Sequence, residues 1–275
     1  SFFSSTFKRH SNFSQSVEKQ TIQGAVKNNA MSSIKFERSG DLLGYTYLAI
    51  DNNVKALDVN RWDNLIDKVE LLIGGQVIDT QDSAFTEKIA IDTFATNMSK
   101  SAMGTHPGIS SNSYFYPFRF FFCEGAQCAL PIVSLRYHDV ELRIYWGSQA
   151  SNYNFECYSN YYYLDNEERG NLVSRNHNLL ITQVQKSIPS NELIQELTFN
   201  HPVKYLACSD TTTEGALTSA TNKVKIEING LDLCNFKFGK PHFMEIPNYY
   251  HTTFVTSPDF FLYCFCLSTS SLQPT

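Results

Sequence analysis

The 275-residue chain carries 22 Lys and Arg against 27 Asp and Glu, a net charge of −5, and so lacks the basic footprint of a protein that wraps nucleic acid. Hydrophobic residues make up 42% and charged residues 18%, enough for a sizeable core and out of keeping with a disordered chain. No apolar run reaches the roughly 18–20 residues that span a bilayer as a helix, and 21 Phe and 15 Tyr beside 4 Met favour strands over helices.

The chain opens at Ser1-Phe2-Phe3, with no methionine and no secretory signal, and reads as a fragment or a processed form. Strand-type runs follow at 34–37 and 45–50. In Lys68-Val69-Glu70-Leu71-Leu72-Ile73, residues Val69, Leu71 and Ile73 share one face. The run ends in Gly74-Gly75, a dipeptide suited to the positive φ of a tight hairpin. Asp82-Ser83 can cap a helix carrying Phe85, Ile89, Phe94 and Met98. A Ser-, Thr- and Asn-rich loop is expected at 101–113.

The most aromatic part of the chain comes next. Tyr114, Phe115, Tyr116, Phe118, Phe120, Phe121 and Phe122 crowd together, and Pro117 rules out a helix interior, so an aromatic strand is expected. Cleaner alternation follows: Val140, Leu142, Ile144 and Trp146 on one face, Asp139, Glu141 and Arg143 on the other, the pattern of a half-buried strand. Tyr158, Tyr161, Tyr162 and Tyr163 read as core or subunit interface. The polar run from Asp165-Asn166-Glu167-Glu168-Arg169 to about Asn178 reads as a boundary. Beyond it, strands are expected at 179–188, 193–199, 203–207 and 260–267, with a surface loop at 209–222.

One internal echo organises these elements. Lys223-Val224-Lys225-Ile226-Glu227-Ile228-Asn229-Gly230 repeats the pattern of 68–75, again ending in a hairpin dipeptide. A weaker echo pairs 116–131 with 262–274, and the order is the same in both halves. A hairpin signature recurs by chance in β-proteins, but the shared order favours two tandem domains. The expected division is 1–166, a linker at 167–177, and 178–275. The fold class is all-β: β-sandwiches with long loops and few short helices.

Chemistry is sparse. Phosphate-loop, dinucleotide, nucleophile-elbow and zincin motifs are all missing, and the seven histidines stand singly. Cys123 with Cys128, Cys264 with Cys266, and His201 with Cys208 lack the two close pairs that zinc prefers. The seven cysteines read as reduced, mostly buried thiols with no disulfide network. Asp139 with Glu141 reads as a solvated face rather than an acid–base pair, and Glu167-Glu168 carries no clearer signal. Lys8-Arg9-His10 is too short for a nucleic-acid patch, and the sequons at Asn12 and Asn97 read as accidental. No catalytic, cofactor-binding or metal residue is therefore assigned, and no cofactor is expected. A carbohydrate-binding β-sandwich, using Tyr153-Asn154 and Tyr161 to Tyr163, remains the alternative from a different class.

An ordered set of motifs resembles one family. Phe120-Phe121-Phe122 followed by Ala129-Leu130-Pro131-Ile132-Val133-Ser134-Leu135-Arg136-Tyr137-His138-Asp139-Val140 is similar to the major capsid proteins of large nucleocytoplasmic DNA viruses. So are Phe2-Phe3 with Phe7 to Phe13, Arg38-Ser39-Gly40-Asp41-Leu42, Gly74-Gly75-Gln76-Val77-Ile78-Asp79, Leu164-Asp165 with Glu168-Arg169, and Asn200-His201-Pro202-Val203-Lys204-Tyr205. The resemblance implies a double jelly roll and a homotrimer forming a pseudo-hexagonal capsomer. It implies neighbouring capsomers and minor capsid or penton proteins as partners, no direct nucleic acid, no membrane span, and a place in the icosahedral shell of a virion assembled in the host cytoplasm. It also implies an arm before Phe2-Phe3 and strands after Gln273-Pro274, so the second jelly roll is expected to be incomplete in this chain. Cys208 stands where the family often has Trp, and a minor capsid paralogue is a further alternative.

Overall fold

The computed structural model describes residues 12–50, 62–90, 93, 115–209, 221–251 and 260–269. Strands dominate. The first half contains β1 (Phe13–Gln20), β2 (Ile22–Gln23), β3 (Met31–Lys35), β4 (Leu42–Ile50), β5 (Ile66–Ile73), β6 (Gln76–Asp82), β7 (Phe115–Pro117), β8 (Val140–Trp146) and β9 (Phe155–Leu164). They form two sheets, ordered β1-β9-β4-β7 and β2-β3-β8-β5-β6, and every pairing is antiparallel. Leaving aside the two-residue β2, the chain crosses from sheet to sheet at every step except the β5–β6 hairpin, and the first of the eight strands pairs with the last. That is the strand order of a jelly roll.

The core lies between the sheets. On β8, Val140, Leu142, Ile144 and Trp146 are all buried, as the alternation predicts. Glu141 and Arg143 face outward and pair with each other at 3.2 Å. The aromatic run departs from expectation: the strand covers only Phe115–Pro117, and a 3-10 turn takes Phe121–Cys123. A continuous strand would turn alternate rings to solvent. The turn instead lets Phe118, Phe120, Phe121 and Phe122 all enter the core, with Phe118, Phe120 and Phe122 stacked at 6.2 and 6.3 Å.

The hairpin echo holds in atomic detail. Gly74 and Gly75 have φ of 60° and 83°, and Asn229 and Gly230 have 53° and 75°, so both turns use two left-handed residues. In the first hairpin Leu72 faces Val77 and Leu71 faces Asp79, leaving Ile78 as an extra residue. In the second, β11 (Lys223–Ile228) pairs β12 (Leu231–Phe238); Glu227 faces Asp232 and Ile226 faces Cys234, leaving Leu233 as the extra residue. Both bulges thus fall at the same step after the turn. Each hairpin then runs into a π-helical turn, Phe85–Ala90 in one case and Pro241–Glu245 in the other. Asp82 caps the first through its Oδ1, which accepts from the Phe85 N–H at 2.8 Å. Phe94 and Met98 lie outside the described residues, as do 101–113 and most of 209–222.

The second half also contains β10 (Tyr205–Ser209), paired with β13 (Phe260–Cys264) as β4 pairs with β7. The strands expected at 179–188 and 193–199 do not form. In chain order these segments stand before β10 as β1 and β3 stand before β4. β1 and β3 are laddered to β9 and β8, and no described strand of the second half takes either part. Both segments run as irregular chain, with Ile188, Leu193 and Ile194 exposed. The polar run after β9 also differs from a plain linker. It forms helix α1 (Asn166–Ser174), capped by Asp165 Oδ1 accepting from the Glu168 N–H at 2.9 Å.

Candidate functional site

Among the described residues, the groups weighed for chemistry in the sequence do not gather into one cluster. All seven cysteines are free thiols. Burial pushes Cys123 and Cys264 up to about 12 and raises Cys157 further, so these thiols are poor nucleophiles and ligands at neutral pH. Among the described residues no three of His, Cys, Asp and Glu are grouped to hold a metal ion. Asp139 pairs with Lys35 at 2.7 Å on an exposed face, and Glu167 and Glu168 stand in the first turn of α1. No described helix is long and apolar enough to cross a membrane.

A polar anchor that sequence reasoning left without a role joins the motifs around Asp41 and Arg169. Asp41 is buried; its Oδ1 accepts from Arg169 Nε at 2.7 Å, and its Oδ2 accepts from Arg169 Nη2 at 3.0 Å and from the Leu164 N–H at 2.8 Å. α1 is thereby fastened to the first sandwich by a two-pronged ion pair. Burial alone would raise the Asp41 carboxyl, but the Arg169 and Leu164 hydrogen bonds and the Arg169 charge outweigh it and hold it below the usual carboxylate range. A depressed carboxyl stabilises the fold above its unfolded value of 3.8 and loses that contribution as pH falls through the folded value. Asp41→Asn is expected to cost about 1–2 kcal/mol at pH 7, since Arg169 is partly solvated. The gap from wild type should narrow as the pH is lowered from 7 to below 3.8. Chemical denaturation at both pH values checks this, and an undiminished gap in acid would contradict it.

The features suited to recognition are surfaces. The outer face of the four-stranded sheet carries Val17, Tyr45, Tyr47, Phe115 and Tyr158, with Tyr47 stacked on Tyr158 at 5.6 Å and edge-on to Phe115 at 6.3 Å. A cavity of about 500 Å³ opens on this face, lined by Tyr45, Tyr47, Phe115, Pro117 and Arg119. The tyrosines divide: Tyr161 is in the core, with its hydroxyl donating to the Glu37 carbonyl at 2.8 Å, whereas Tyr158 and Tyr162 lie half-buried on the outer face. Hairpin β11–β12 exposes Leu231, Leu233, Phe236 and Phe238. Apolar surface on this scale is characteristic of association sites.

Two sheets in jelly-roll order and a partial repeat of that plan define a β-protein of the jelly-roll class. The chain belongs to the major capsid protein family, whose N-terminal model matches residues 1–155. It is 28% identical over 260 residues to the major capsid protein of Pyramimonas orientalis virus, covering 83% of this chain and 65% of that protein. Among solved structures it is similar to VP54 of the chlorella virus PBCV-1, with a TM-score of 0.79 and 24% identity over 100% of this chain and 83% of that one. The Faustovirus major capsid protein gives a TM-score of 0.73 at 11% identity, covering 100% of this chain and 86% of that one. These likenesses show the fold: the chain carries the double jelly-roll architecture expected from its sequence motifs.

Proposed function

We propose that this chain is a shell-building major capsid subunit of a large DNA virus, with no catalytic role, and that three copies form a pseudo-hexagonal capsomer. The observation that carries the reading is the repeated hairpin, with its turn, bulge and following π-turn in the same order in both halves. Two similar units per chain give a trimer six comparable sides, which tile a hexagonal lattice. The units are 1–166 and 178–275, joined through 167–177. The partners are copies of the chain, neighbouring capsomers and minor capsid or penton proteins; the setting is the icosahedral virion shell, assembled in the host cytoplasm. The names of the similar viral proteins and the acidic net charge of −5, which suits an outer shell better than genome packing, support the reading. Contacts within the trimer should be large and partly aromatic, and those between capsomers smaller and many times repeated. Native mass spectrometry of the protein at micromolar concentration should give a trimer. A folded chain that stays monomeric across that range would refute the capsomer.

A further inference from the structure

The second half meets the first along a strip of chain, separate from contacts such as Thr269 Oγ1 donating to the Thr93 carbonyl at 3.0 Å. Residues 183–186 run beside β6, the edge strand of the five-stranded sheet. The Val184 N–H donates to Asp79 Oδ1 at 2.8 Å, Gln183 Nε2 donates to the carbonyl of the bulged Ile78, and Lys186 pairs with Asp82. Asp79 is the centre of this contact. The residue is 4% exposed; its Oδ1 also accepts from the Thr80 N–H at 2.9 Å and its Oδ2 from Gln81 Nε2 at 2.8 Å. Gln81 in turn donates to the Arg119 carbonyl at 2.8 Å.

The hairpin itself does not call for a carboxylate here. The same register position in the second hairpin holds Cys234, buried beside Phe243 and Phe261. What distinguishes the first hairpin is the strip that covers its edge. We infer that Asp79 is a proton-sensitive clamp, holding residues 183–186 against β6 and binding them more tightly when its carboxyl is protonated.

The sign follows from the surroundings of the carboxyl. Burial pushes Asp79 up to about 6, against the pull of its three hydrogen bonds from Val184, Gln81 and Thr80. All three donors are neutral. The charged groups on the adjoining elements are engaged elsewhere: Lys186 with Asp82, and Lys68 with Glu70 on β5. From the segment after β7, the Arg119 backbone reaches this network through Gln81, while the guanidinium acts on Glu124. Lifting the strip rehydrates the carboxyl and returns it toward 3.8, so docking takes up a proton. Docking should therefore tighten about tenfold between pH 7.5 and pH 5.

Amide hydrogen exchange of the full chain tests this, because protection at Val184 reports the population of the docked strip. After correction for intrinsic rates, wild-type protection should rise about tenfold from pH 7.5 to pH 5. Asp79→Asn should remove that step, Asp79→Ala should lower protection at both pH values, and Lys186→Met should lower it while leaving the step in place. Wild-type protection that is flat with pH overturns the clamp, even if no variant folds. So does an Asp79→Asn variant that keeps the tenfold step.

Discussion

Trp146→Ala should cost about 3–5 kcal/mol, a large share of the stability of a single sandwich. Trp146 closes β8 with 1% of its surface exposed, and its ring centroid lies 4.7 Å from that of Phe155 on the opposite sheet. Its Nε1–H donates to Ser32 Oγ at 2.8 Å, inside the core. Truncation removes the ring, opens a cavity and takes from the buried Ser32 hydroxyl its indole donor, three losses of the same sign. Trp146→Phe should lose less, because most of the volume stays and only the hydrogen bond goes. Thermal unfolding of the two variants beside wild type should rank them in that order. A Trp146→Ala protein melting within a degree or two of wild type would show that the ring does not hold the sheets together.

Where residues answer to a local rule, the fold was legible. β8 reads directly because its apolar residues alternate and both its neighbours lie within the same sandwich. The two hairpins read from their dipeptides, since left-handed turns admit few residue types. The bulges after them were not visible: an extra residue in a ladder leaves no compositional mark. The aromatic run misled because seven rings in nine positions leave neither face free of them. Only the packing decides that four phenylalanines enter the core through a turn.

The second half shows a different limit. Segments 179–188 and 193–199 have strand composition, but a strand is a property of two chains, and β1 and β3 owe their form to β9 and β8. Helix α1 was missed for the opposite reason. It buries none of its residues, so it has no apolar stripe to read, and it is fixed by a cap and by Arg169. Asp41 and Asp79 both stood inside quoted motifs, yet neither had a role until folding brought a donor from far along the chain: 128 residues away for Arg169 and 105 for Val184. Pairings of that range leave no spacing signature in a single sequence.

Gly147→Ala is expected to be as damaging as the loss of the tryptophan beside it, by the reverse mechanism. A Cβ at Gly147 would lie 2.3 Å from the Asn64 carbonyl oxygen, 2.5 Å from its carbon and 2.9 Å from the Leu65 nitrogen. All three are backbone atoms, so no side-chain rotation relieves the clash. The Asn64 oxygen is also held, accepting from the Gln149 N–H at 3.0 Å, while the Gly147 N–H donates to the Leu65 carbonyl at 2.8 Å. To make room, the 3-10 turn Trp62–Asn64 would have to withdraw and pull Trp62 from its 5.3 Å contact with Tyr116. The cost should reach about 3 kcal/mol, the upper part of the range for overpacked sites. Gly125→Ala is the matched control: a Cβ there meets nothing within 4 Å, and its φ of 171° is open to any residue. Its unfolding free energy from urea titration should stay within about 0.5 kcal/mol of wild type, while the midpoint of Gly147→Ala falls steeply. Equal midpoints for the two variants would mean that the junction of β8 with the Trp62 turn yields more easily than its hydrogen bonds imply.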